Sequence, residues 1–167
     1  MTEQTDLEAL ISVLEGQQEE LQFATFSNDD AWALGSLLVT LGNSRSLPIA
    51  IDIRRNGHQL FHAALAGTSP SNDAWIERKI RVVNRFGDSS FLVGRRLALT
   101  GGKLDETAGL EPILHAAHGG SFPVIVRGVG PVGTITVSGL PQADDHALVV
   151  EALRSFLHPT APPAPSP

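Results

Sequence analysis

The stretch LPIAIDIRRNGHQLFHAAL at residues 47–65 decides the fold, because it predicts a β-hairpin. Asn56 and Gly57 separate two runs in which apolar and polar residues alternate. This dipeptide readily adopts the positive φ angles of a two-residue hairpin turn, so we expect Arg55 to face His58 across the loop.

The same loop predicts which side chains share a face of the sheet. Counting away from it, Asp52 faces Phe61 and Ile51 faces His62. One face then carries Ile49, Ile51, Ile53, Leu60 and His62, and the other carries Asp52, Arg54, Gln59 and Phe61. A buried carboxylate is costly unless it is paired, so we interpret Asp52 and Arg54 as an internal ion pair or a subunit contact, with a site acid as the alternative. His62 is either a buried ligand or a satisfied core histidine.

Helical patterns surround this hairpin, and a second hairpin follows them. We expect helices at about 6–20, to about 42 after a cap at Ser27 or Asn28, to about 86 after a cap at Ser71, and to about 101 after a cap at Asp88 or Ser89. A last helix is expected at about 144–157, with Asp144 or Asp145 as its cap. A short strand is expected at 21–25, and the second hairpin joins 124–126 to 132–137. Two hairpins with helices between them predict an α+β fold, an α/β sandwich with a mainly antiparallel sheet of about five strands.

Length and composition favour one domain and exclude several classes of protein. The 167 residues predict a single domain at 1–158, followed by a proline-rich, disordered tail at 159–167. The absence of cysteine excludes disulfides, a thiolate nucleophile and any metal site built on cysteine. A formal net charge of −6 argues against a nucleic-acid partner, which requires a basic surface.

The apolar runs are shorter than a membrane span, and the N-terminus lacks the pattern of a signal peptide. We therefore expect a cytoplasmic protein with no membrane partner. Familiar nucleotide-binding and hydrolase motifs are also missing, so the sequence leaves open whether the protein is an enzyme.

His118, Gly119 and Gly120 form the first candidate site. Two glycines allow positive φ angles and the close approach of a ligand, and their amides can surround an anion. The imidazole is a candidate haem ligand, metal ligand or proton shuttle. The alternative is a flexible entry into a strand with an incidental surface histidine.

Charged residues elsewhere give further candidates. Lys79 shares an apolar helical stripe with Trp75, so it either points towards a pocket or lies at the edge of the core with its ammonium in solvent. Arg78 and Arg85 lie nearby on the same helix and suit a carboxylate or propionate. His146 falls in the first turn of the last helix, where a positive charge is disfavoured, and we expect it to be neutral.

At this point the chain resembles a known family. The stretch GGSFPVIVRGVGPVGTITVSGLPQADDHALVVEAL at 119–153 is similar to the C-terminal signature of the GlcG/HbpS-like superfamily. Residues 47–90 and the stretch AAHGGSFPVIV at 116–126 resemble its branch of "haem-degrading domain-containing" proteins. The turn here, Gly-Gly-Ser-Phe-Pro, is one residue longer than the family's Gly-Gly-x-Pro.

The resemblance implies a profilin-like fold, a homodimer or larger homo-oligomer, and a protein that binds haem or another tetrapyrrole and in some relatives degrades it. On this hypothesis His118 is the iron ligand or proton donor, Lys79 and Arg85 bind the propionates, and Phe122 and Trp75 form apolar walls. Two alternatives stay open: an oligomeric binding or scaffold module without catalysis, and an accessory protein for a small carboxylate.

Overall fold

The fold is a five-stranded sheet with helices on both faces, in a computed structural model that describes residues 3–160. The helices are α1 (Glu3–Glu20), α2 (Asn28–Ser44), α3 (Pro70–Phe86), α4 (Ser90–Thr100), α5 (Leu104–Ala108) and α6 (Gln142–Leu157). The strands are β1 (Gln22–Phe23), β2 (Ala50–Arg55), β3 (His58–Ala64), β4 (Ser121–Val126) and β5 (Gly130–Ser138). The predicted disordered tail lies outside the described residues from residue 161 onward.

The strand order is β1-β4-β5-β2-β3. β1 pairs with β4 in parallel, and the other neighbouring strands pair antiparallel. The predicted α+β class with a mainly antiparallel sheet is therefore confirmed. In the part of the chain that the structure describes, no helix has both the length and the apolar character needed to cross a membrane.

The two faces of the sheet differ in chemistry. The face under α2 and α6 is apolar and fully buried, and its side chains include Ile51, Ile53, Phe122, Val124, Ile135 and Val137. The face under α3 carries buried polar side chains, among them Asp52, Ser121, Thr134 and Thr136. Burying a polar group is costly unless it is paired, and Ser121 and Thr136 meet this need by sharing a hydrogen bond of 2.8 Å, whereas Thr134 Oγ1 has no partner in the described chain. The apolar face is thus the core, and the polar face holds side chains that can make specific contacts.

The first hairpin has a different register from the one predicted. Arg55 pairs with His58 as expected, but Asp52 pairs with His62 and Ile51 with Ala63, because the pairing shifts by one residue next to Ile53. Such a bulge inserts one extra residue and exchanges the faces of those that follow.

Because of this bulge, two side chains lie on the opposite face of the sheet from the one predicted. Phe61 lies on the apolar side, where its ring contacts Trp32 at a centroid distance of 5.7 Å. His62 lies on the α3 side and shares a hydrogen bond of 2.8 Å with Asp73. Asp52 and Arg54 form the internal ion pair that the sequence favoured, with Nε 2.8 Å from Oδ1.

Helix boundaries follow their capping groups. Ser27 caps α2 in a reciprocal capping box with Asp30, as one of the two predicted caps. α3 is capped by Ser69 rather than the predicted Ser71, because Pro70 occupies its first position and has no amide hydrogen to donate. α6 begins at Gln142, two residues before the predicted start, and its carboxylates do not cap it.

Candidate functional site

A pocket lies where β5 ends and the chain turns into α6, beside the N-terminal half of α3. Its volume is about 380 Å³, at the lower end of the range for small-molecule sites. It is lined by Ser69, Ser71, Asn72, Trp75, Lys79, His118, Ser138, Gly139, Leu140, Gln142 and Asp145. Most of these groups are polar, so the pocket suits a ligand that makes hydrogen bonds.

Lys79 and Asp145 form an ion pair at the base of this pocket. The ammonium donates to Asp145 Oδ2 at 2.9 Å and to the carbonyl of Val137 at 3.1 Å. Burial lowers the pKa of Lys79 and raises the pKa of Asp145, while the attraction between them opposes both changes. The pair therefore joins α3, β5 and α6, and the charge of Lys79 is already balanced within the protein.

Asp145 also holds the turn that precedes α6. Its Oδ1 accepts a hydrogen bond of 2.9 Å from the amide of Leu140, and its Oδ2 accepts a longer one from the amide of Gly139. The sequence placed Asp144 or Asp145 as the cap of α6. The structure instead directs Asp145 back to the turn and to Lys79.

Gly119 and Gly120 lie behind the pocket and are buried. A Cβ atom at Gly119 would lie 2.1 Å from the carbonyl oxygen of Gln142, and one at Gly120 would lie 2.4 Å from that of Val137. The amide of Gly119 is already bonded to the side chain of Gln142 at 3.2 Å. The glycines thus allow the chain to pack closely against α6 and β5, and the amide of Gly119 is not available to an anion.

His118 lies at the rim of the pocket and is exposed. Its ring stacks on Trp75 with a centroid distance of 5.4 Å and an interplanar angle of 26°. Within the described chain, neither of its ring nitrogens has a hydrogen-bond partner. The stacking therefore holds the ring while its nitrogens remain available to a ligand.

The protonation of His118 is biased towards the neutral form. Partial burial lowers its pKa below 6.5, and the nearby charges of Lys79, Arg78 and Arg95 lower the pKa further. At neutral pH the ring is uncharged and carries one free lone pair. This is the form of histidine that binds metals.

The residues predicted as a site are brought together only in part. Trp75, Lys79 and His118 line one pocket. Phe122 does not line it, because its side chain is fully buried in the sheet core. Arg85 lies exposed near the end of α3 and is also absent from the lining.

Sequence reasoning missed the partners of these residues. Asp145 was assigned to a helix cap, although a lysine on an apolar stripe is a signal that a buried acid lies elsewhere in the chain. Arg95 was not singled out, and Arg78 was considered only as a neighbour of Lys79. The guanidinium carbon of Arg78 lies 4.3 Å from the ring centroid of Trp75, and this contact depends on the geometry of the helix that carries both residues.

Among residues 3–160, no group of three or more histidine and carboxylate side chains could hold a bare metal ion.

The sheet, its helices and this pocket define an α+β domain with a candidate small-molecule site at the junction of β5 and α6. The chain belongs to the family described as "Haem degrading protein HbpS-like", which it matches over residues 26–154. This confirms the family resemblance seen in the sequence.

Relatives and solved structures agree with this assignment. The chain is 60% identical over 147 residues to a UPF0303 protein of Streptomyces coelicolor, covering 88% of this chain and 93% of the relative. It resembles the crystal structure of the Ybr137w protein with a TM-score of 0.85 and 31% identity, covering 95% and 94% of the two chains. The fold also matches a crystal structure of a PduOC:heme complex, with a TM-score of 0.66 and 14% identity, over 78% of this chain and 94% of that chain.

Proposed function

We propose that this protein binds haem or a related tetrapyrrole, and that His118 would hold its iron. The observation that carries the proposal is a pocket-rim imidazole that is neutral at pH 7, stacked on Trp75, and without a hydrogen-bond partner within the described chain. The family description and the PduOC:heme complex support it.

The residues around His118 fit this group. Leu140 offers an apolar contact to a flat ring, and the polar lining suits its charged edge, whereas the ring of Trp75 already contacts His118 and Arg78. When bound, haem supplies the redox chemistry of its iron, whereas the protein supplies the ligand and its orientation. Trp75 orients this ligand, because its stacking restricts the rotation of the His118 imidazole.

A hemin titration tests the proposal. We expect purified protein to shift the Soret band of hemin, and His118→Ala to weaken binding by about tenfold or more, since the side chain that would hold the iron is lost. His115→Ala is the matched control, because His115 lies three residues earlier and its Nδ1 is bonded to the carbonyl of Glu111 at 3.0 Å. An unchanged spectrum with the wild type, or equal binding by His118→Ala, contradicts the proposal.

Haem degradation is the finer form of this proposal, and the family description supports it. The loaded protein is mixed with ascorbate in air, and the Soret band is followed over time. Its steady loss indicates turnover, whereas a constant band indicates a binding protein without catalysis. His118→Ala, compared at equal haem loading, separates a role in turnover from a role in binding.

We also infer that the chain forms a homo-oligomer through the edge of β3. This strand ends the sheet, carries no Lys, Arg, Asp, Glu or Pro, and lies beside Trp32, whose side chain is 67% exposed. Natural proteins usually protect a free edge strand with charges or proline, so an unprotected edge of this length suits pairing with a second copy.

Native mass spectrometry tests the self-association. The amide of Leu65 is bonded to Ile49, so alternation along the strand leaves the amide of Ala64 on the free edge. We expect an oligomer for the wild type and dissociation for Ala64→Pro, which removes an edge donor. A monomeric wild type contradicts the inference, and a monomer that still binds hemin leaves the haem proposal intact.

A further inference from the structure

A second cavity, of about 530 Å³, lies on the α3 face of the sheet, at the opposite ends of α3 and β5 from the candidate site. Its walls come from the C-terminal half of α3, the start of β5 and the turn between β2 and β3. Thr134 lines this cavity and Ser138 lines the first pocket, and residues four apart in a strand are separated by roughly 13 Å. The two pockets are therefore separate, and the volume of the second is within the range of small-molecule sites.

Thr134 brings a buried hydroxyl without a partner to this cavity. Residues two apart in a strand share a face, so the side chain of Thr134 lies on the α3 side of β5 together with that of Thr136. Thr136 is bonded to Ser121, whereas Thr134 is 1% exposed and its Oγ1 has no hydrogen-bond partner in the described chain. An unpaired buried hydroxyl is costly, and a ligand in the cavity that Thr134 lines can supply the missing partner.

Two carboxamides lie at the mouth of the same cavity. Asn56 belongs to the turn of the first hairpin, and Asn84 to the last turns of α3. Both residues are exposed, line the cavity, and make no side-chain hydrogen bond within the described chain. A carboxamide carries N–H donors and a carbonyl acceptor next to each other. With the hydroxyl of Thr134, these side chains offer a ligand donors and acceptors.

The other walls are mainly aliphatic. Ile80 and Val83 contribute from α3, and Pro131 and Val132 from the start of β5. Such side chains favour contact with the apolar faces of a ligand, so its polar groups must lie elsewhere on the molecule.

The charge of the cavity is balanced within the protein. Of the described residues that line it, only Arg54 is charged. Its guanidinium is bonded to the carboxylates of both Asp52 and Glu77. Two negative charges thus surround one positive charge, and no positive charge remains to attract an anion.

We propose that this cavity binds a neutral small molecule with an amide-type edge, in which an N–H donor and a carbonyl acceptor are neighbours, as in lactams and nucleobases. A carboxamide side chain pairs with an edge of adjacent donor and acceptor groups through two hydrogen bonds. The aliphatic walls contact the faces of the ring, and Thr134 bonds to a further polar group. An anion finds no counter-charge here, and a wholly apolar molecule leaves the hydroxyl unpaired. The site does not depend on the proposed function.

A pair of neutral probes tests the amide-type edge. Inosine carries this edge, and 1-methylinosine has a methyl group in place of its N–H but keeps the same ribose. We expect inosine to bind saturably and to shift the NMR amide signals of Gly57, Gly87 and Gly133, which line the cavity. The methylated probe should bind about fivefold more weakly or less, because a hydrogen bond is lost. No saturable shift with inosine, or equal binding of the two probes, overturns the proposal.

Two variants test the polar groups of the cavity. Asn84→Ala changes an exposed helical position where alanine is favourable, and Thr134→Val replaces only the hydroxyl by a methyl group. Each should weaken inosine binding by about fivefold. Thr134→Val should also be at least as stable as the wild type in urea unfolding, because an unpaired buried hydroxyl is removed.

Thr136→Val is the matched control, since Thr136 shares the strand and face of Thr134 but is bonded to Ser121 and does not line the cavity. It should lose stability and bind inosine as the wild type does. Inosine binding that persists unchanged in both Asn84→Ala and Thr134→Val overturns the site. So does a loss of stability in Thr134→Val as large as that in Thr136→Val, because the hydroxyl of Thr134 would then have a partner inside the protein.

Discussion

Lys79 Nζ lies 2.9 Å from Asp145 Oδ2, and the two side chains are only 4% and 2% exposed. The partners come from α3 and α6, 66 residues apart in the sequence. Removing two charges from water is costly, and the cost is recovered only while both partners are present. The pair is therefore a structural link between the helices that enclose the candidate site.

We expect Lys79→Met to destabilise the protein by about 3 to 5 kcal/mol, because it leaves Asp145 buried and unpaired. Adding Asp145→Asn should recover part of this loss, since the amide oxygen still accepts from Leu140 without a charge. Urea unfolding of the two variants measures the difference. A double variant less stable than Lys79→Met alone would contradict this account.

An exposed ion pair provides the comparison for that measurement. Arg45 and Glu151 are bonded through both terminal nitrogens, but their side chains are 46% and 43% exposed. Exposed pairs contribute little because water screens them, so Arg45→Met should have a small effect on the free energy of unfolding. A loss similar to that of Lys79→Met would show that burial is not the deciding factor.

Gly119 is predicted to be intolerant of even a methyl group. Its Cβ would lie 2.1 Å from the backbone oxygen of Gln142, and a backbone atom cannot move aside as a flexible side chain can. We expect Gly119→Ala to lower the free energy of unfolding by about 1 to 3 kcal/mol, the range for overpacking. In Gly16→Ala the new methyl group has no atom within 4 Å, and stability should rise slightly because alanine favours the helix. Chemical denaturation of both variants decides the prediction, and it is wrong if Gly119→Ala is as stable as the wild type.

Local features of the sequence predicted most of the elements, and non-local packing explains what they did not predict. The Asn56-Gly57 turn and the helix caps act within a few residues, so the hairpin and every described helix except α5 were correctly expected. The bulge beside Ile53 was not expected from the sequence, because it depends on how Phe61 packs under α2. The partner of Lys79 and the arginines around His118 also depend on contacts between distant segments, which spacing alone does not encode.

His146 links stability to pH. It is 3% exposed, and its Nε2 shares a hydrogen bond of 2.7 Å with the side chain of Gln17. Burial lowers the pKa of His146 from 6.5 to about 4, so the side chain is neutral at pH 7, as the sequence predicted. The main cause of this neutral state is burial rather than the helix dipole. As the pH falls, the unfolded chain binds a proton near 6.5 and the folded chain only near 4. The titration of His146 therefore lowers the free energy of unfolding progressively as the pH falls from 6.5 to about 4, and this loss stays constant at lower pH.

The size of this effect follows from the two pKa values. A histidine at 6.5 when unfolded and about 4 when folded accounts for about 3 kcal/mol. We expect His146→Gln, which is neutral throughout, to show a smaller loss of stability between pH 6.5 and 4 than the wild type in urea unfolding. His58→Gln, at the exposed end of β3, should retain the full loss. Equal pH profiles for the wild type and His146→Gln would refute the prediction.

The bulged register of the first hairpin can be tested through Gly35 on α2. A Cβ atom at Gly35 would lie 2.4 Å from the ring of Phe61, so Gly35→Ala should be destabilising by about 1 to 3 kcal/mol. Replacing Phe61 by Leu removes the rigid ring, and the double variant should lose less stability than the sum of the two single changes. Contacting residues show such non-additive effects, whereas distant ones add. In the register without a bulge, His62 would face α2 in place of Phe61, and Gly35→Ala would instead be coupled to His62→Ala. Urea unfolding of both double-mutant cycles therefore distinguishes the two registers, because coupling to Phe61 requires the bulge and coupling to His62 excludes it.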